Sequence, residues 1–156
     1  MDTLKSGQKA PHFSLLDQQN KQVSLSDFKG KKVLIYFYPK ALTPGCTMQA
    51  CNLQESKTEL EKSGVVIIGI SPDNPQKLAN FAIKKNLSFT LLSDEDHKVA
   101  EKFGVWGEKK FMGRVFNGIH RISFLIDENG AIEKVFDKFK TTNHHKIVLD
   151  YLKNNE

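Results

Sequence analysis

The residues best equipped for chemistry in this chain are its two cysteines, Cys46 and Cys51. Cys46 lies in Tyr38-Pro39-Lys40-Ala41-Leu42-Thr43-Pro44-Gly45-Cys46-Thr47, between an apolar run, Val33-Leu34-Ile35-Tyr36-Phe37-Tyr38, and a long stretch of helical pattern. The first turn of a helix leaves its N–H groups unpaired and partially positive. A thiol placed there is favoured as the thiolate, its nucleophilic form. The local residues predict that placement. Thr43 is a candidate N-cap, Pro44 falls at the first helical position, and Gly45 leaves the junction open ahead of Cys46. A plainer alternative is an inert apolar filler, since free cysteine is commonly buried. Proline, glycine and a capping threonine just before the thiol favour the reactive reading.

Arg121 is the next candidate. It opens an otherwise apolar run, Ile122-Ser123-Phe124-Leu125-Ile126, where an uncompensated guanidinium would be expensive. It therefore needs an anionic partner, and a carboxylate such as Glu55 would serve. The five histidines (His12, His97, His120, His144, His145) lack zinc spacing with the cysteines. Adjacent His144 and His145 on a helix point in different directions, so no metal site is expected. Trp106, Phe13, Phe28, Phe37 and Phe124 read as core residues rather than as a cofactor box.

These side chains need elements to position them. Residues 13–16 and 22–25 read as a short hairpin, and 33–38 as a buried central strand. Residues 44–62 carry a helical pattern that stops at Ser63-Gly64, and 65–70 form a second buried strand. A helix is expected from about Asn74 to Lys85, a strand over 89–92 and a helix from His97 to Phe103. Asn117-Gly118 and Asn129-Gly130 are hairpin signals flanking a strand over 121–126, whose antiparallel partner is 131–136. Thr141-Thr142-Asn143 then caps a closing helix through Leu152. A βαβ half followed by a ββα half describes an α/β protein with the thioredoxin fold, a central mixed sheet flanked by helices.

The length of 156 residues suits one domain, spanning 1–156, with a substantial core. With 39% hydrophobic and 26% charged residues, the composition argues against disorder. No run approaches the roughly 18 apolar residues of a membrane span. Met1-Asp2-Thr3-Leu4-Lys5-Ser6-Gly7-Gln8 has no apolar signal core, which points to the cytoplasm. In that compartment two cysteines point to redox or metal chemistry rather than to a structural staple. The net charge of +5 raises the question of nucleic acid. However, the lysines are dispersed, Arg114 and Arg121 are the only arginines, and no aromatic stacking platform accompanies them. A solvated surface is the better reading.

The motif Pro39-x-x-x-Thr43-x-x-Cys46 resembles the active-site signature of the peroxiredoxins. Thr43-Pro44-Gly45-Cys46-Thr47, with Cys51 following, is similar to their bacterioferritin-comigratory, or Q-type, subgroup. The resemblance extends to Phe13-Ser14-Leu15, Leu91-Leu92-Ser93-Asp94, Phe103-Gly104-Val105-Trp106 and Arg121-Ile122-Ser123-Phe124-Leu125-Ile126-Asp127. It implies a thioredoxin fold with an added N-terminal hairpin and a middle insertion. It also implies that Cys46 attacks hydrogen peroxide and organic hydroperoxides, becoming a sulfenic acid. Thr43 would offer its hydroxyl to sulfur and peroxide, Arg121 would face the Cys46 thiolate, and Pro39 would shield the site from water.

Cys51 is the only other thiol, hence the candidate to resolve the sulfenic acid as an intramolecular disulfide. The alternative is that Cys51 is a buried helix residue and an external thiol resolves Cys46. A dithiol donor, thioredoxin in this reading, would then recycle the enzyme without metal, flavin or haem. The absence of a C-terminal resolving cysteine removes one reason for an obligate dimer, so a monomer is expected. Two other functions compete. A general dithiol–disulfide oxidoreductase would prefer C-x-x-C, and Gln49 stands where its second cysteine would be. A non-enzymatic chaperone or nucleic-acid-binding protein would use the basic surface.

Overall fold

Both faces of the run after Lys31 are apolar, and alternate residues along it enter two different cores. Leu34, Tyr36 and Tyr38 join one buried cluster, while Val33, Ile35 and Phe37 join another. That is the pattern of a strand covered on both sides. The computed structural model describes residues 1–155 and places this run at β3 (Lys32–Phe37). Parallel to it lies β4 (Val65–Ser71), in register Val33 opposite Val66, and β5 (Thr90–Ser93) continues the parallel side. On the other side, β8 (Ser123–Ile126) and β9 (Ile132–Phe136) add antiparallel strands. The N-terminal hairpin, β1 (Ser14–Asp17) and β2 (Gln22–Ser24), attaches through β5. The seven-stranded order is β2-β1-β5-β4-β3-β8-β9. This is the thioredoxin fold with a central mixed sheet.

The helices sort by face. On one side, α1 (Pro44–Glu55), α2 (Lys57–Lys62), α3 (Pro75–Lys85) and α5 (His144–Asn154) contribute Ala50, Leu53, Leu60, Phe81, Val148 and Leu152 to the first cluster. On the other, α4 (Lys98–Phe103) packs Phe103 against Phe37 and Phe124, with ring centroids 5.3 and 5.1 Å apart. Each terminus has a local reason. Asn74 caps α3 by accepting from the Lys77 N–H at 2.9 Å, and Asn86 ends it in the left-handed region. Buried Asp94 accepts from the Val99 and Ala100 N–H groups at the start of α4. Burial raises its carboxyl above the usual range, and these two bonds oppose the shift.

Three expectations need correction. The helix expected over 44–62 is two helices. At Ser56 (φ −92°, ψ 0°) the regular helical pattern is interrupted, and the Ser56 N–H is shared between the carbonyls of Asn52 and Leu53. Leu53 before the break and Leu60 after it both bury fully in the same cluster. Asn117-Gly118 is not a turn. Both residues lie within β7 (Arg114–Ile119), opposite Glu108 and Gly107 of β6 (Trp106–Phe111). The turn is Met112-Gly113, both at positive φ (51° and 78°), a two-residue type that a glycine at its second place favours. Finally, Arg121 precedes β8 instead of starting it, so its side chain is free to leave the strand pattern.

Candidate active site

The site forms where β3 ends and α1 begins. Tyr38 is still tied to the sheet, its N–H donating to the Ile70 carbonyl at 3.1 Å, after which Pro39 turns the chain away. Asp73, buried beyond the end of β4, holds the next turn by accepting from the Ala41 N–H at 2.7 Å and the Ser71 hydroxyl at 2.8 Å. Leu42 sits in the left-handed region (φ 63°), a strained conformation for a leucine that these anchors help maintain. Thr43 follows in extended geometry, and Pro44 opens α1.

Cys46 therefore lies in the first turn of α1, 1% exposed, with its thiol free. Arg121 reaches it from the other side of the site. Its Nη2 donates to Cys46 Sγ at 3.2 Å and its Nη1 donates to Gln49 Oε1 at 3.0 Å. Glycine at position 45 permits this approach. A Cβ there would stand 3.3 Å from Arg121 Nη2 and 3.6 Å from Thr141 Cγ2, crowding the guanidinium out of line. Among the described residues Arg121 makes no ion pair, so the carboxylate alternative with Glu55 is not formed. Lys109, half-buried on β6, is a second cation whose charge is felt at this site. Burial pushes its ammonium down from the usual lysine range and Arg121 adds to this, while Cys46 opposes it.

Thr43 occupies the N-cap position, but its side chain does not cap. Its hydroxyl donates to the Lys40 carbonyl at 2.8 Å instead, within the loop. The first-turn amides of α1 are consequently not occupied by the threonine oxygen. Pro39 is half-buried between β3 and the loop. Cys51 lies further along α1, also half-buried and free.

Sequence reasoning missed the polar chain behind Arg121. Gln49 and His144 are buried, and Gln49 Nε2 meets His144 Nδ1 at 3.2 Å. His144 Nε2 meets the hydroxyl of buried Ser123 at 2.7 Å. The signals were present. Gln49 is one helical turn beyond Cys46, on the face that also carries Ala50 and Leu53. His144 shares the core-facing stripe of α5 with Val148 and Leu152. Burial pushes the His144 imidazole down to about 3, with His145 and Arg121 adding to the shift, so the ring is neutral. No group of three or more histidine, cysteine or acidic side chains is arranged to hold a metal among the described residues.

A thioredoxin-type sheet that presents a helix-terminal thiol beneath a guanidinium defines a thiol-dependent oxidoreductase. The chain belongs to the AhpC/TSA family, whose profile matches residues 6–135, and it is a peroxiredoxin, an enzyme that reduces peroxides through a thiol. It is 68% identical over 153 residues to Bcp of Haemophilus influenzae, covering 98% of this chain and 99% of that one. It is 63% identical to peroxiredoxin Bcp of Escherichia coli K12, covering 98% of each. The bacterioferritin comigratory protein of Xanthomonas campestris, whose structures concern alkyl peroxide reduction, matches with a TM-score of 0.86 and 33% identity. That match covers 92% of this chain and 91% of the other.

Proposed function

We propose that Cys46 is the residue that attacks peroxide, that Arg121, Thr43, Pro39 and the first-turn amides of α1 form its site, and that Cys51 resolves the product. The observation that best supports this is the 3.2 Å contact from Arg121 Nη2 to Cys46 Sγ at the start of α1. A guanidinium and free amides at this place meet the negative charge that moves from sulfur to oxygen. The Cys46 thiolate uses one electron pair to form an S–O bond while the peroxide O–O bond breaks. Sulfur is oxidised to sulfenic acid, and the departing oxygen takes a proton to leave as water or alcohol. With its proton committed to Lys40, the Thr43 oxygen keeps lone pairs with which to accept a hydrogen bond from the peroxide. Pro39 limits water at the sulfur.

Cys51 then attacks the sulfenic sulfur, forming a disulfide and releasing water. Both cysteines lie in the uninterrupted α1, where helix geometry sets their Cα atoms about 8–9 Å apart on different faces. A disulfide needs roughly 7 Å or less. The first turns of α1 must therefore unwind before the bond can form. A dithiol protein of the thioredoxin class returns two electrons and restores both thiols. We assign the chain a monomeric, single-domain form working in the cytoplasm. Support for organic hydroperoxides beside hydrogen peroxide comes from a mainly apolar cleft next to the helix start, lined by Leu42, Pro44, Thr47 and Met48 with Lys84 and Lys85. NADPH oxidation in a mixture of peroxide, thioredoxin and thioredoxin reductase should saturate with this protein present. No turnover with thioredoxin, together with turnover on another dithiol donor, would reassign the reductant.

A further inference from the structure

The guanidinium at Cys46 is oriented by neutral groups, and those groups form a continuous line. Arginine has only donors, so Gln49 must turn its carbonyl oxygen to Arg121 and its NH2 to His144. That fixes the imidazole: Nδ1 is the acceptor, the ring proton is on Nε2, and Ser123 Oγ accepts it. A protonated ring would set N–H against the NH2 of Gln49. Burial keeps the ring neutral, as the fall of its pKa to about 3 requires. A carboxylate in place of Gln49 would orient Arg121 equally well but would neutralise much of its charge. A neutral amide leaves that charge for the sulfur.

We propose that His144 is a positioning residue for peroxide reduction: it fixes the Gln49 amide, the amide fixes Arg121, and Arg121 keeps its second Nη at the Cys46 sulfur. Gln49 also lies between Cys46 and Cys51 on α1, whereas His144 and Ser123 belong to α5 and β8. Unwinding of α1 removes Gln49 from both partners at once. The His144 contact therefore supports the reactive arrangement of α1 and none other, and it opposes disulfide formation. This second consequence rests on the assignment of Cys46 and Cys51 made above.

Two substitutions separate positioning from packing. In His144→Asn the amide oxygen falls near the position of Nδ1, keeping the acceptor for Gln49 and losing the bond to Ser123. In His144→Gln the amide reaches toward Ser123 and no acceptor faces Gln49. Stopped-flow oxidation of the reduced protein by hydrogen peroxide, followed by trapping of free thiols, reads both steps. His144→Gln should slow the first oxidation about tenfold, the worth of one lost buried hydrogen bond, and speed closure of the disulfide. It should also yield less Cys46 sulfinic acid at high peroxide. His144→Asn should recover the first step to within about threefold of wild type, whatever its loss of stability. Equal slowing in both variants, or rates that follow urea stability instead of the Gln49 acceptor, would overturn the role. If the wild-type protein itself fails to oxidise at Cys46, the fault lies with the assignment of the nucleophile and not with His144.

Discussion

Replacing Cys46 by serine exchanges the proposed nucleophile for a hydroxyl, which is not ionised near neutral pH and is a far weaker nucleophile, so Cys46→Ser should lose peroxidase turnover by more than about a thousandfold. Cys51→Ser should complete one oxidation at close to the wild-type rate and then recycle poorly. Single-turnover kinetics with a sulfenic acid trap distinguishes them, and loss of the first step in both variants would reverse the assignment. Arg121→Ala should slow peroxide attack by about 10²–10³-fold, the cost of losing a donor aimed at developing charge. Arg121→Lys restores a positive charge without the fork that spans Cys46 Sγ and Gln49 Oε1, so it should recover only part of that loss. At this scale Cys46 and Arg121, which the structure brings into contact, were both marked in the sequence, because proline, glycine and a cation without a local partner stand out. The Gln49–His144–Ser123 line was not legible as a unit. Its members lie on α1, α5 and β8, and only the folded sheet brings those elements together.

In the proposed cycle, helix α1 holds the two chemical states apart. Hydrogen exchange over residues 44–55 should be well protected in the reduced enzyme and much faster in the disulfide form, while α2 keeps its protection in both. Equal exchange of α1 in the two states would show that no unwinding is required. The break at Ser56 gives α2 an anchor of its own, Leu60, by which it is expected to stay seated when α1 unwinds. Buried strands and amphipathic helices were readable from their periodicity, and the Asn129-Gly130 turn was readable from its residue pair. The β6–β7 hairpin was not. Its strands carry Lys109, Lys110 and Arg114 beside exposed Phe111 and Phe116, so no alternation marks a buried face. The break at Ser56 was hidden for the converse reason, since the helical pattern continues across it and no glycine or proline marks it.

Across the molecule, the buried histidine ties stability to pH. In the unfolded chain an imidazole takes up a proton below about 6.5, whereas the native His144 resists protonation down to about 3. Between those values the unfolded state binds more protons. The contribution of His144 is therefore fully present above the unfolded value and declines as pH falls. The fall from pH 7 to pH 5 should cost about 1–2 kcal/mol through this group. Urea unfolding at the two pH values checks it: His144→Asn should start less stable than wild type and lose less on acidification. Identical losses in the two proteins would show that another group carries the acid sensitivity. The sheet also divides the core. Cys46, Ala50 and Leu53 of α1 belong to the cluster on one face, and the cluster around Phe103, Phe124 and Ile68 on the opposite face takes no residue from α1. The sheet thus stands as a bulkhead between α1 and the compartment beneath α4. If oxidation unwinds α1 as proposed, the molecule's outline changes on that side, and a reductant that tells spent enzyme from fresh is expected to approach from there.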